Sequence, residues 1–174
     1  MQNYIVILKI PKNIENKIKS SYKETYDKNI PIKNLHLTLL PPFSLKSKES
    51  LELLKNNIKK NKPVKITASY GTPNLFGNPQ ETILYLPIEP EKEITKLHEK
   101  INNENKNLIN FETSLYHTDE VPPFLPHISL DYNFTYNSTT LPKLEDNLDV
   151  ATFNLIGPFL MVQRPSGNWI KVNN

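Results

Sequence analysis

Cysteine is absent from this 174-residue chain, glycine occurs four times, and Arg164 is the only arginine. Without cysteine there are no disulfides, thiolate metal sites or cysteine nucleophiles, which fits a reducing compartment. So few glycines leave little room for a glycine-rich phosphate loop, and no Gly-x-Ser-x-Gly nucleophile elbow is present. No apolar run approaches the ~18–20 residues that span a membrane. The N-terminal apolar stretch is followed by Lys9 and Pro11 and reads as a first strand, not a signal peptide. A transition-metal site needs about three or four clustered ligands, and the sequence supplies no such cluster. These absences predict a cytoplasmic protein with no membrane contact, no metal and no cofactor.

At 37% hydrophobic and 22% charged residues, the length suits one compact domain. The net charge of +3 is unevenly spread. Residues 1–66 hold 14 lysines against 5 acidic residues, while residues 67–174 hold 7 basic against 13 acidic. A basic N-terminal half favours an anionic ligand; a solvated lysine-rich surface is the plainer reading.

Periodicity predicts a strand over 5–8, then a helix over 12–28 marked by Ile14, Ile18, Tyr22 and Tyr26. A strand over 35–39 stops at Pro41-Pro42. A second helix over 47–60 has Ser47 as its N-cap. A strand over 64–69 and a loop over 71–80 follow. The pattern then repeats: a strand over 83–88, a helix over 91–105 and a strand over 126–130. The order strand, helix, strand thus recurs in units of about 4–43 and 82–134, a degenerate internal duplication. Strands over 153–163 and 169–172 form a hairpin around Pro165-Ser166-Gly167-Asn168.

The repeated units carry the most informative residues. Leu35-His36-Leu37-Thr38-Leu39 and Pro126-His127-Ile128-Ser129-Leu130 each place a histidine and a hydroxyl two residues apart on a strand. Residues i and i+2 of a strand share a face, so each segment offers an imidazole beside a hydroxyl. One such pair is usually an ordinary strand. Two pairs in a duplicated frame point to one site with two histidines, suited to general acid–base chemistry.

The paired His-x-Thr/Ser motifs, with the context His-Leu-Thr-Leu-Leu-Pro-Pro-Phe at 36–43 and Phe76-Gly77-Asn78 before a strand, resemble the two-histidine (2H) phosphoesterase superfamily. The likeness is to its 2′-5′ RNA ligase-like and 2′,3′-cyclic phosphodiesterase members and covers essentially the whole chain. It implies an α+β, bilobal fold with a pseudo-twofold axis, two antiparallel sheets flanked by helices, and a central cleft. It also implies metal-independent phosphodiester chemistry by His36, Thr38, His127 and Ser129. The substrate implied is a nucleotide or short oligonucleotide, RNA 3′ ends included, acted on by a monomer. Many RNA-acting members carry a basic residue after the second motif. Here Asp131 and Tyr132 follow, which favours small substrates over long tRNA.

Three readings of the site stay open at this level. The first is hydrolysis of a 2′,3′-cyclic phosphate to a 2′-phosphate. Another is cleavage of 2′-5′ oligoadenylate or cyclic oligonucleotide signals, and the last is nucleotide binding without turnover. Phe43, Phe76, Tyr132 and Phe134 are candidates for stacking on a base. His98 is expected at the edge of a solvated helix face and His117 on the surface of the 110–126 connection, a candidate lid. Trp169 is expected in the core.

Overall fold

The computed structural model describes residues 2–61, 64–76, 82–111, 123–135, 144, 148 and 151–172. The predicted lid and His117 therefore lie largely outside the described residues, as do Gly77 and Asn78. Among the described residues three helices and nine strands follow in the order β1 (Tyr4–Lys9), α1 (Lys12–Tyr26), β2 (His36–Leu45), α2 (Ser50–Lys60), β3 (Val64–Tyr70), β4 (Asn74–Phe76), β5 (Ile83–Glu89), α3 (Glu91–Asn105), β6 (Ile109–Phe111), β7 (His127–Asp131), β8 (Thr152–Gln163) and β9 (Trp169–Lys171). Among the described residues, no helix is long and apolar enough to cross a membrane.

Helix α1 buries Ile14, Ile18 and Tyr22 at the predicted spacing. It ends earlier than predicted, because Asp27 turns into the left-handed region at φ 52°. The N-cap of α2 is Glu49 and not the expected Ser47, which lies outside the helix and accepts the backbone N–H of Ser50 with its Oγ at 3.3 Å. Helix α3 buries Ile94 and Ile101. These apolar faces join Val6, Leu8, Leu37, Leu39, Leu86, Ile128 and Leu130 in one core. Leu37 and Ile128 are fully buried; each such side chain contributes about 1.5–3 kcal/mol.

The strands pair antiparallel in the order β1-β2-β7-β5-β3-β8-β9, with β4 on β5, β6 on β2 and β1 also on β8. The two sheets expected from the resemblance are thus joined in a single nine-stranded pairing network. Two short junctions connect its parts: Leu37↔Ile128 between β2 and β7, and Ser69↔Glu89 with Tyr70↔Ile88 between β3 and β5.

Strand β2 does not stop at Pro41-Pro42. Tyr4 pairs with Phe43 and Val6 with Leu40, so β2 gains a residue at the prolines and bulges there. Prolines lack the N–H that a regular ladder needs, and a bulge removes the demand. Beyond them β2 gains a new neighbour, β6, through Phe43↔Phe111. A second bulge frees Leu39: Ile7 pairs with Thr38 and Val6 with Leu40. The same irregularity recurs in the other half, where Tyr85 pairs with Ser129, Leu84 with Asp131, and Leu130 is the extra residue.

His98 takes up the carbonyl of the freed Leu39 with its Nδ1 at 2.6 Å and stacks on Phe124, ring centroids 4.0 Å apart. The expected solvated edge is instead a contact between α3, the first motif strand and the segment leading into the second. Trp169 also departs from expectation. It is half-buried outside the main core, against the small cluster of Ile5, Ile7 and Met161.

At Gly157 in β8 a Cβ would stand 2.9 Å from Leu8 Cδ2 and 3.1 Å from the Ile7 carbonyl oxygen. Leu8 can shift, but the backbone oxygen is held by strand pairing. Gly157→Ala is expected to cost about 1–3 kcal/mol and lower the melting temperature. Ser166→Ala, in the exposed hairpin turn, should leave it unchanged. Equal melting of both variants and the parent would contradict the close packing of β8 on β1.

Candidate active site

Strand alternation decides which side chains of the two motifs meet. Leu37 and Ile128 turn into the core, so His36 and Thr38 on β2, and His127 and Ser129 on β7, turn to the opposite face. Antiparallel pairing of Leu37 with Ile128 sets His36 across from Ser129 and Thr38 across from His127. Such partners have Cβ atoms about 4.5–5.5 Å apart, and the diagonal partners lie about 7–8 Å apart. Two imidazoles and two hydroxyls therefore form one alternating quartet, all four half-buried.

Both histidines are held by the same device. His36 Nδ1 lies 2.9 Å from the carbonyl oxygen of Asn34, and His127 Nδ1 lies 2.6 Å from that of Leu125. A carbonyl only accepts, so Nδ1 carries the proton in each ring. Nε2 is then the nitrogen that could take or give a proton. The lead-in to His36 is anchored in turn. Buried Glu15 ion-pairs with Lys12 and Lys19, and Lys19 also donates to the Lys33 carbonyl at 2.6 Å. Burial alone would push the Glu15 carboxyl up, but hydrogen bonds and charge from Lys19 and Lys12 hold it below its ordinary value.

Both imidazoles are held below their ordinary pKa. For His36 the cause is burial, opposed by the Asn34 carbonyl and the charge of Glu15. Burial is also the main cause for His127, opposed by the Leu125 carbonyl and reinforced by repulsion from His36. That repulsion means the rings sense each other's charge across the β2–β7 junction. A pair of this kind can divide into a neutral base and a protonated acid.

The stacking candidates separate. Phe76 stands edge-on to His127 with ring centroids 5.1 Å apart. Tyr85, which sequence reasoning missed as a site residue, lies across from Ser129 on β5 and edge-on to His127 at 5.4 Å. Superposing the two units by register would have found it, because Tyr85 occupies the place of Ile7. Phe43 is fully buried between Tyr4 and Phe111, so core packing replaces the ligand role expected of it. Phe134 is likewise buried, edge-on to Tyr26. Tyr132 is exposed in the turn after β7.

Asp131 serves the fold. It is buried, accepts from Tyr22 Oη at 2.8 Å and pairs with Lys28 Nζ at 2.9 Å. Burial would raise its pKa, but Lys28, Tyr22 and the Asn133 N–H hold it low. The acidic residue after the second motif thus closes the end of β7 onto α1.

Residues 10–160 match the family model described as the 2′-5′ RNA ligase superfamily. A Bacillus pumilus (strain SAFR-032) protein named "Putative phosphoesterase" is 27% identical over 176 residues, covering 95% of this chain and 92% of that protein. A crystal structure titled as a phosphoesterase superposes with a TM-score of 0.70 at 14% identity, covering 99% of this chain and 96% of that one. Escherichia coli LigT in apo form gives 0.63 at 14% identity, covering 99% and 95%. Its complex with phosphate gives 0.65, and its complex with 3′-AMP gives 0.62, again at 14% identity, with 99% of this chain covered and 94% and 95% of theirs. By its matched length and its paired motifs, the chain belongs to the 2′-5′ RNA ligase superfamily of two-histidine phosphoesterases.

Proposed function

We propose that the protein is a metal-independent phosphodiesterase that opens a 2′,3′-cyclic phosphate, on a nucleotide or an RNA end, to a 2′-phosphate. The observation that carries this reading is the quartet: two Nδ1-anchored histidines and two hydroxyls brought onto one face by the Leu37↔Ile128 pair. Support also comes from LigT, a neighbour in fold that has been crystallised with phosphate and with 3′-AMP. The repeated register and the matching bulges fit the degenerate duplication and bilobal arrangement that the family resemblance implies.

In this mechanism Nε2 of His127 takes a proton from water as its oxygen attacks phosphorus. The bond from phosphorus to the ribose 3′ oxygen breaks. Nε2–H of His36 protonates that oxygen, leaving a 3′-hydroxyl and a 2′-phosphate. Thr38 and Ser129 donate to the non-bridging oxygens as charge builds on them. Phe76, half-buried and edge-on to His127, offers an aromatic surface to the base of the reacting nucleotide, and buried Tyr85 packs against both rings.

Product analysis in EDTA tests this. The panel holds 2′,3′-cyclic mononucleotides, 2′-5′ oligoadenylate and cyclic oligonucleotides. The expected result is a 2′-phosphate from the cyclic substrates. His36→Ala and His127→Ala should each slow turnover by about 10²–10⁴, and Thr38→Ala or Ser129→Ala by about 10²–10³. Binding without turnover, or cleavage confined to the oligonucleotide signals, would replace the proposal.

The two depressed imidazole pKa values also set a pH profile. The base must be neutral, and its acid limb lies below the ordinary value near ~6.5. The acid must be protonated, and its alkaline limb is drawn down likewise. The expected kcat/KM profile is a bell with its maximum on the acid side of neutrality, because kcat/KM reports the free enzyme. A maximum in the alkaline range would contradict the roles given to the two rings.

A further inference from the structure

The face that carries the histidines continues past His36. Directly opposed residues of an antiparallel pair share a face, so the register can be followed strand by strand. His36 opposes Lys9 and Thr38 opposes Ile7 on β1. Ile7 opposes Phe159 and Ile5 opposes Met161 on β8. Met161 opposes Lys171 and Gln163 opposes Trp169 on β9. The side chains agree with the register. Lys9 Nζ lies 4.8 Å and Lys171 Nζ 5.2 Å from the centre of the Phe159 ring. Phe159 and Trp169 pack over Ile5, Ile7 and Met161, a cluster separate from the main core.

Composition makes this face unusual. Strands β1, β2, β3, β8 and β9 carry Lys9, Lys65 and Lys171 and no Asp or Glu. Lys9 and Lys171 are exposed, and among the described residues neither is in an ion pair. Two cations share one aromatic ring without a counter-charge in the strands beneath them. Half-exposed aromatic rings interleaved with lysines are what a single-stranded nucleic acid requires: planes for bases and cations for phosphates, without regard to sequence. A packing role alone accounts for the rings over Ile5, Ile7 and Met161. It does not account for the unneutralised lysines in continuity with the catalytic quartet.

We infer that Lys9, Phe159, Trp169 and Lys171 form a second subsite, which takes the nucleotides adjoining the scissile phosphate. The preferred substrate is then an oligonucleotide end and not a mononucleotide. The inference rests on the phosphodiesterase reading above. Strand spacing supports the distinction. At about 4.8 Å per strand, β8 lies two strands and roughly 10 Å from β2, and β9 three strands and roughly 15 Å away. One phosphate occupies the quartet beside Lys9, so Lys171 on β9 answers to a further phosphate of the same chain.

Trp169 is the only tryptophan and reports on the subsite directly. The wild type would be titrated with a short oligouridylate ending in a 3′-phosphate and, separately, with uridine 3′-monophosphate, following tryptophan emission. The oligonucleotide is expected to change the emission and to bind at least about tenfold more tightly. Phe159→Ala should reduce the oligonucleotide's advantage by about five- to 150-fold. Lys9→Gln and Lys171→Gln should each lower the salt slope of oligonucleotide binding by about 0.7. Phe159→Leu keeps an apolar cover on the cluster and should show the same lost advantage if stacking is the cause.

Equal affinity for the two ligands would overturn the inference. So would binding that leaves Trp169 emission unmoved, or variants that weaken both ligands alike. Turnover of a 2′,3′-cyclic phosphate, on a mononucleotide and on an oligonucleotide end, is read in a separate assay. Its absence from both would count against the phosphodiesterase reading, whereas turnover without an oligonucleotide advantage in binding would count against the subsite alone.

Discussion

The pairing of Leu37 with Ile128 sets what the rest of the molecule can do. These are the central residues of the two motifs, they are fully buried, and they pair β2 with β7. Their side chains hold the junction to the core, and their alternation turns the four polar neighbours outward together. A slip of one residue would reverse every side chain of one motif and send a histidine into an apolar interior. The burial of Leu37, Leu39, Ile128 and Leu130 is therefore a constraint on chemistry as well as on stability.

Around that pair the two halves use the same local means. Strand β2 lies against β1 and β7 against β5, with Leu8 across from Leu37 and Leu86 across from Ile128. In each, the residue after the hydroxyl bulges out, and the histidine is pinned through Nδ1 to the carbonyl two residues earlier. The surroundings then differ. His127 is walled by Phe76 and Tyr85, while His36 lies across from Lys9. This difference sets an aromatic side against a cationic side.

Much of this was legible in the sequence because it rests on periodicity. The spacing of Ile14, Ile18 and Tyr22 marks α1, and the alternation of His36 to Leu39 and His127 to Leu130 marks the face that carries the two histidines. The rest depends on long-range pairing. Pro41 and Pro42 read as a strand end because the bulge that accommodates them is made with β1. Strands β4 and β6, with three residues each, are too short to alternate visibly. Phe43 follows the motif closely in sequence, but the bulges between turn it into the core. His98 looked solvated because its acceptor, the Leu39 carbonyl, is freed only by tertiary structure. The basic platform combines strands from opposite ends of the chain, so no local window contains it.

His36 and His127, far apart in sequence, sense each other across the β2–β7 junction. Nitrogen-15 NMR of the imidazole rings, titrated in the wild type and in His36→Gln, tests it without any substrate. In the wild type both rings should be the Nδ1–H tautomer when neutral, with His127 titrating below the ordinary imidazole value. Removing the His36 charge should move the His127 titration upward while its tautomer stays the same. A His127 titration unmoved by the substitution would mean that the two motifs do not share one site.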